Sequence, residues 1–172
     1  AYQQLQTALK NLVERPENSY GKFEAEDYDE WSAGNLKIED GKDADGIDLK
    51  NIGATYSGAW IAYKGINFAG GGLGTISIRY VNNSGRCGNN AKLTVYTDSS
   101  MTGDPLTVID IPATGDNWNA YKVIEKELAT PLKGKHDLYI VMTADNNNPF
   151  VSNFDWFEFA ERIDSSELTA LY

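Results

Sequence analysis

Glu24 and Glu26 stand two residues apart in a strand-like run, so their carboxylates point to one face. Carboxylates held side by side repel unless a cation or protons lie between them. Asp155 falls among Phe154, Trp156, Phe157 and Phe159, and a carboxylate in so apolar a run needs a partner. The three form a candidate oxygen-ligand set for a hard cation such as Ca²⁺, with backbone carbonyls available from the loop at 40–46. The alternative is a pair of solvated carboxylates plus a capping Asp, and spacing alone leaves both open. The run Asp43-Ala44-Asp45-Gly46 does not make an EF-hand. A loop placed on it would take Gly41 as its first ligand and Ile52 where the closing Glu belongs.

A second chemistry is aromatic. Trp118 lies between Asn117 and Asn119, in a loop-like stretch with Thr114-Gly115-Asp116. An indole flanked by polar residues is ill placed for a core. Sugar rings present an apolar C–H face and a rim of hydroxyls, which an aromatic plane and nearby amides or carboxylates match. The alternative is a Trp packed beneath its own loop. Trp60 and Trp156 lie within strand-like runs and are expected to fill the core, while Trp31, after Asp29-Glu30, fits either role.

Other chemistries find no support. The only histidine is His136 and the only cysteine is Cys87, which excludes His-pair metal sites, Cys-based zinc and any disulfide within the chain. His136 reads as a surface residue and Cys87 as a loop thiol. The glycine-rich stretch 69–74 lacks the Gly-Lys-Ser/Thr ending of a phosphate loop, and no Gly-x-Ser-x-Gly elbow occurs. Paired acids can hydrolyse a glycoside, but nothing marks one carboxylate as acid and another as nucleophile.

The elements that must position these residues are mostly strands. Ile76, Ile78 and Tyr80 alternate with polar residues, as do Leu93 and Val95, which predicts half-buried strands. Further candidates cover 23–27, 36–39, 60–66, 106–111, 121–128, 137–143 and 154–159. Gly-, Asn- and Pro-rich turns separate them. Leu5, Ala8, Leu9 and Leu12 predict a helix over 2–14, ended by Pro16, and a short helix is expected over 165–171. The expected organisation is a helix or linker at 1–21, an antiparallel β-sandwich at 22–161 and an extension at 162–172.

Composition fits that picture. The 172 residues carry 15 Lys and Arg against 25 Asp and Glu, a net charge of −10 that repels nucleic acid and anionic membrane surfaces. No apolar run reaches the ~18 residues of a membrane-spanning helix. Ten Tyr, six Phe and four Trp exceed what a core of this size needs, so some are expected at the surface.

Five segments, in order, resemble family 6 carbohydrate-binding modules. Phe23-Glu24-Ala25-Glu26-Asp27-Tyr28 is similar to their opening strand, and Gly58-Ala59-Trp60-Ile61-Ala62-Tyr63 to their Gly-Asp-Trp-Ile-x-Tyr strand. The stretch from Thr114 to Tyr121 resembles their Thr-Gly-Gly-Trp segment. His136-Asp137-Leu138-Tyr139-Ile140-Val141 and Asn153-Phe154-Asp155-Trp156-Phe157-Glu158-Phe159 resemble their last two strands. The resemblance spans 23–160 and implies an all-β jelly roll without catalysis. It implies a structural Ca²⁺ on Glu24, Glu26 and Asp155, and a sugar site in loops at one end of the sandwich. There Trp118 is the stacking residue, and Asn153 and Glu39 contact hydroxyls. The second aromatic wall of the family falls at Ala54 here, so Tyr56, two residues on, is the candidate replacement.

The expectation is therefore a secreted, monomeric, non-catalytic module that holds a glycoside hydrolase of the same polypeptide on β-linked polysaccharide such as xylan or β-glucan. The alternatives are a small glycan-active hydrolase or lyase, and a structural spacer.

Overall fold

Alternation along the chain writes two sheets whose inner faces meet. The computed structural model describes residues 22–68, 72–145 and 150–161, so the two expected helices lie outside the described residues. The strands are β1 (Lys22–Glu24), β2 (Glu30–Trp31), β3 (Lys37–Lys42), β4 (Asp48–Gly53), β5 (Trp60–Asn67) and β6 (Leu73–Val81), then β7 (Lys92–Tyr96), β8 (Thr107–Asp110), β9 (Lys122–Leu132), β10 (Lys135–Thr143) and β11 (Asn153–Glu161). One sheet runs β3-β4-β11-β6-β9, with β1 also paired to β11. The other runs β2-β5-β10-β7-β8. All the strand pairings are antiparallel, and the described residues contain no helix, so the fold is the all-β jelly roll.

Every second residue of the central strands is buried. Ile76, Ile78 and Tyr80 of β6 meet Phe154, Phe157 and Phe159 of β11, and Ile61 and Tyr63 of β5 meet Leu138, Ile140 and Met142 of β10. Each such side chain contributes about 1.5–3 kcal/mol on leaving water. The buried Tyr63 hydroxyl donates to the Ala25 carbonyl at 2.9 Å, which satisfies its polar end.

Two expected core residues are elsewhere. Trp60 and Trp156 are only half-buried and face outward. Ile61 and Tyr63 claim the inner face of β5, which turns Trp60 the other way. In β11 a bulge between Phe154 and Trp156 resets the alternation, so Phe157 points inward and Trp156 outward. Lys22 lies 5.5 Å over the Trp156 ring.

Beyond the strand ends, short backbone contacts lash several loops together. Asn83 bridges Gly115, and Phe150 bridges both Tyr56 and Cys87. The Gly88 amide donates to the Phe150 carbonyl at 2.8 Å, and the Val151 amide to the Thr55 carbonyl at 2.7 Å. Cys87 is buried behind this junction. The loops between β4 and β5, β6 and β7, and β8 and β9 thus meet at one end of the sandwich.

Candidate functional site

At that end lies a cleft of about 340 Å³. Its lining includes Glu39 from β3, Asn153 from β11, and Trp118, Phe150 and Arg86 from the loops. The Trp118 indole keeps 36% of its surface exposed and meets the Phe150 ring edge-on, 6.4 Å between centres at 86°. This is the favoured T-shaped arrangement of two aromatics, and it holds the indole still without covering it. The Arg86 guanidinium lies 5.9 Å from the centre of the Phe150 ring.

Across from the rings is a polar wall. The Asn153 amide donates to Glu39 Oε2 at 3.3 Å, and the Asn51 amide donates to the Glu39 carbonyl at 3.3 Å. Asn51 is buried, and its Oδ1 has no hydrogen-bond partner among the described residues. Gly53 permits this wall, since a Cβ there would lie 2.1 Å from Glu39 Oε2. Tyr121 lines the cleft too, and burial, reinforced by nearby Asp155, pushes its hydroxyl far above the usual phenol range. It stays a neutral donor and acceptor at any ordinary pH.

The structure brings Trp118, Glu39 and Asn153 together and leaves Tyr56 outside this cleft. The Tyr56 ring packs against Phe150 at 5.3 Å and lines an adjoining depression. Sequence reasoning missed Phe150 and Arg86. Phe150 follows Asn146-Asn147-Asn148-Pro149, which reads as turn, so the one signal was a lone aromatic ending a polar run. A depression of about 410 Å³ beside Asn82, Cys87 and Asp110 is larger than the cleft but has no aromatic face.

The three carboxylates expected to ligate a cation are near one another without closing around a point. Among the described residues no group of three or more acidic, His or Cys side chains is arranged to hold a metal. Glu24 pairs with Lys22 at 3.0 Å, and buried Asp155 pairs with Arg79 at 2.6 Å. Glu26 Oε2 is buried with no hydrogen-bond partner among the described residues. Burial holds the Glu26 carboxyl above its ordinary range, and the charges of Glu24, Asp27 and Asp155 add to the effect. Either a proton or a cation would satisfy such an oxygen, so Glu26 is compatible with a cation. The partners of Glu24 and Asp155 compete with it.

Comparison with known proteins agrees with the fold. A β-1,3-glucan-binding family 6 module from Bacillus halodurans superposes with TM-score 0.68 at 25% identity, covering 83% of this chain and 96% of that one. A family 6 module from Clostridium cellulolyticum, solved with xylose, gives 0.63 at 26% identity, covering 83% and 98%. An arabinoxylan arabinofuranohydrolase of glycoside hydrolase family 43 from Bacillus subtilis, solved with cellotetraose, gives 0.66 at 23% identity, covering 84% of this chain but 28% of that one. No curated protein matches the chain. The family model for carbohydrate binding module (family 6) matches residues 24–161, and the chain belongs to that family of non-catalytic carbohydrate-binding modules.

Proposed function

We propose that this module anchors a glycoside hydrolase of the same polypeptide to a β-linked polysaccharide such as xylan or β-glucan, outside the cell, as a monomer. The observation that carries this reading is an exposed indole, braced edge-on by Phe150, facing the Glu39–Asn153 pair across one cleft. Trp118 stacks on a pyranose face. Asn153, Glu39 and Arg86 bond its hydroxyls. Tyr56 acts through Phe150, as a support behind the wall. The similarity to a segment of a longer arabinoxylan-degrading enzyme supports a catalytic neighbour.

One stacked ring and a few hydrogen bonds give an affinity on the order of 10 µM to 1 mM. Tethering then makes the binding effective, because the catalytic domain meets its substrate at high local concentration. The test is affinity electrophoresis on a polysaccharide panel with Trp118→Ala beside wild type. The variant is expected to lose at least about 30-fold in affinity, the range of a central aromatic anchor. Equal retardation of both proteins would remove Trp118 from the site, and retardation by no glycan would favour a spacer.

We also propose a structural Ca²⁺ held by Glu26 with Glu24 and Asp155. The buried, partnerless Glu26 oxygen supports it. The ion would offset the mutual repulsion of the three carboxylates and pin β1 to β11.

A further inference from the structure

Two arginines fall within the described residues, and the fold engages them differently. Arg79 holds Asp43 and Asp155, at 2.9 and 2.6 Å. Arg86 is exposed and lines the cleft, and its side chain makes no hydrogen bond or ion pair among the described residues. Its guanidinium lies 5.9 Å from the centre of the Phe150 ring, the same ring that braces Trp118. A guanidinium is a planar fork of N–H donors with a fixed charge and no acceptor. A sugar hydroxyl takes one of those donors and leaves the charge unanswered. A carboxylate accepts two parallel bonds and neutralises the charge.

The backbone beneath this guanidinium is fixed. The amides of Arg86 and Cys87 donate to the Asn83 carbonyl at 2.9 and 2.8 Å, and the Gly85 amide donates to Asn83 Oδ1 at 3.0 Å. The Asn83 side-chain amide in turn donates to the Asp116 carbonyl at 3.1 Å, and the Ser84 amide to the Gly115 carbonyl at 2.8 Å. The turn that carries Arg86 is thereby tied to the loop that carries Trp118. Two carboxylates also line the cleft, and neither is paired with Arg86. Asp40 holds Lys50 at 2.8 Å, and Glu39 accepts from Asn153 at 3.3 Å. The cleft therefore has an acidic wall and, at Arg86, one unpaired cation.

We propose that Arg86 receives the carboxylate of a uronic acid, so that the preferred ligand is a β-linked glycan carrying uronic acid as a sparse branch on a neutral backbone. The neutral sugars lie on Trp118 and along Glu39, and the acid turns toward Arg86. A sparse branch fits better than a polyuronate, because closely spaced carboxylates would meet the net charge of −10 at long range and the Glu39–Asp40 wall at short range. This rests on the glycan-binding reading above and narrows its substrate class.

The test is calorimetric titration with matched ligands: xylotriose, xylotriose with a glucuronosyl branch, that branched ligand with its carboxyl reduced to the alcohol, and a trisaccharide of β-linked mannuronate. Wild type is expected to bind the branched acid about 5- to 10-fold more tightly than its reduced form, and the mannuronate no better than xylotriose. The advantage should shrink as salt rises from about 20 to about 500 mM. In Arg86→Gln the ratio of acid to reduced ligand should fall to about one, whatever happens to the neutral ligands, and Arg86→Lys should keep part of it. The comparison of acid with reduced ligand on wild type needs no variant, so it stands even if a substitution disturbs folding. An acidic ligand bound no more tightly than its reduced form, or not bound by a module that holds a neutral glycan, overturns the carboxylate site and leaves the Trp118 cleft standing. A preference that persists in Arg86→Gln overturns the assignment to Arg86, and tightest binding of mannuronate overturns the sparse branch. Binding of no oligosaccharide or polysaccharide overturns both this proposal and the glycan reading.

Discussion

At the scale of single residues, the cleft depends on how an aromatic is held. Phe150 lines the cleft, sets the angle of Trp118 on one side and packs against Tyr56 on the other. Phe150→Ala is expected to cost about 5- to 30-fold in glycan affinity while Phe150→Tyr costs little, as read by calorimetry. A separate residue reports on pH. The backbone amide of Gly65 donates to Asp137 at 2.8 Å and, with Lys64 beside it, holds that carboxyl below its ordinary value of 3.8. A depressed folded-state value stabilises the fold above 3.8, and that contribution disappears as pH falls through the depressed value. Asp137→Asn should therefore lower the melting temperature at pH 7 and leave it unchanged near pH 2. Because the side chain is 41% exposed, solvent screening keeps the effect below about 1 kcal/mol.

At the scale of elements, the β3–β4 hairpin is the part of the cleft wall that needs anchoring. Asp43 caps its turn, accepting from the amides of Asp45 and Ile47 at 3.1 and 2.9 Å. Arg79, on β6, reaches across to Asp43 at 2.9 Å and to Asp155 at 2.6 Å, and its guanidinium lies 5.1 Å from the centre of the Tyr121 ring. One cation thus ties the hairpin to the sheet centre. Arg79→Met strands buried Asp155 and frees the hairpin. A loss of roughly 2 kcal/mol is expected, less than the ~3–5 kcal/mol of a fully buried pair because the guanidinium is partly exposed. Thermal melts should show it as a drop of roughly 4–8 °C. The hairpin also shows where sequence reasoning stops. β6 and β7 were legible because their apolar residues alternate, and β10 and β11 because they are short apolar runs bounded by turns. β4 was not: Asp48-Leu49-Lys50-Asn51-Ile52-Gly53 has polar residues and a glycine where a strand pattern wants branched apolar ones. Its place comes from pairing to β3, a long-range fact that no local window contains. The same limit applies to the cleft. Trp118 announced itself by its polar neighbours, whereas the partnership of Phe150 with Tyr56 and Cys87 arises only from the fold.

At the scale of the whole molecule, two sheets share one core, so the described domain should unfold in a single cooperative step. A cation bound only by the folded form would raise that transition. Exhaustive EDTA is expected to lower the melting temperature and added Ca²⁺ to restore it, with Glu26→Gln insensitive to both. An unchanged wild-type melt after chelation would argue against the ion. The net charge of −10 also matters here, since at long range it disfavours the approach of polyanions. Cys87 offers a clock for this architecture. The only sulfhydryl in the chain sits 3% exposed behind the aromatic junction, and burial lifts its pKa to about 11. With so little of the thiol exposed and its pKa raised, maleimide capture should be slow, so its rate would report on the breathing of the loops around the proposed site, and a bound oligosaccharide should slow it.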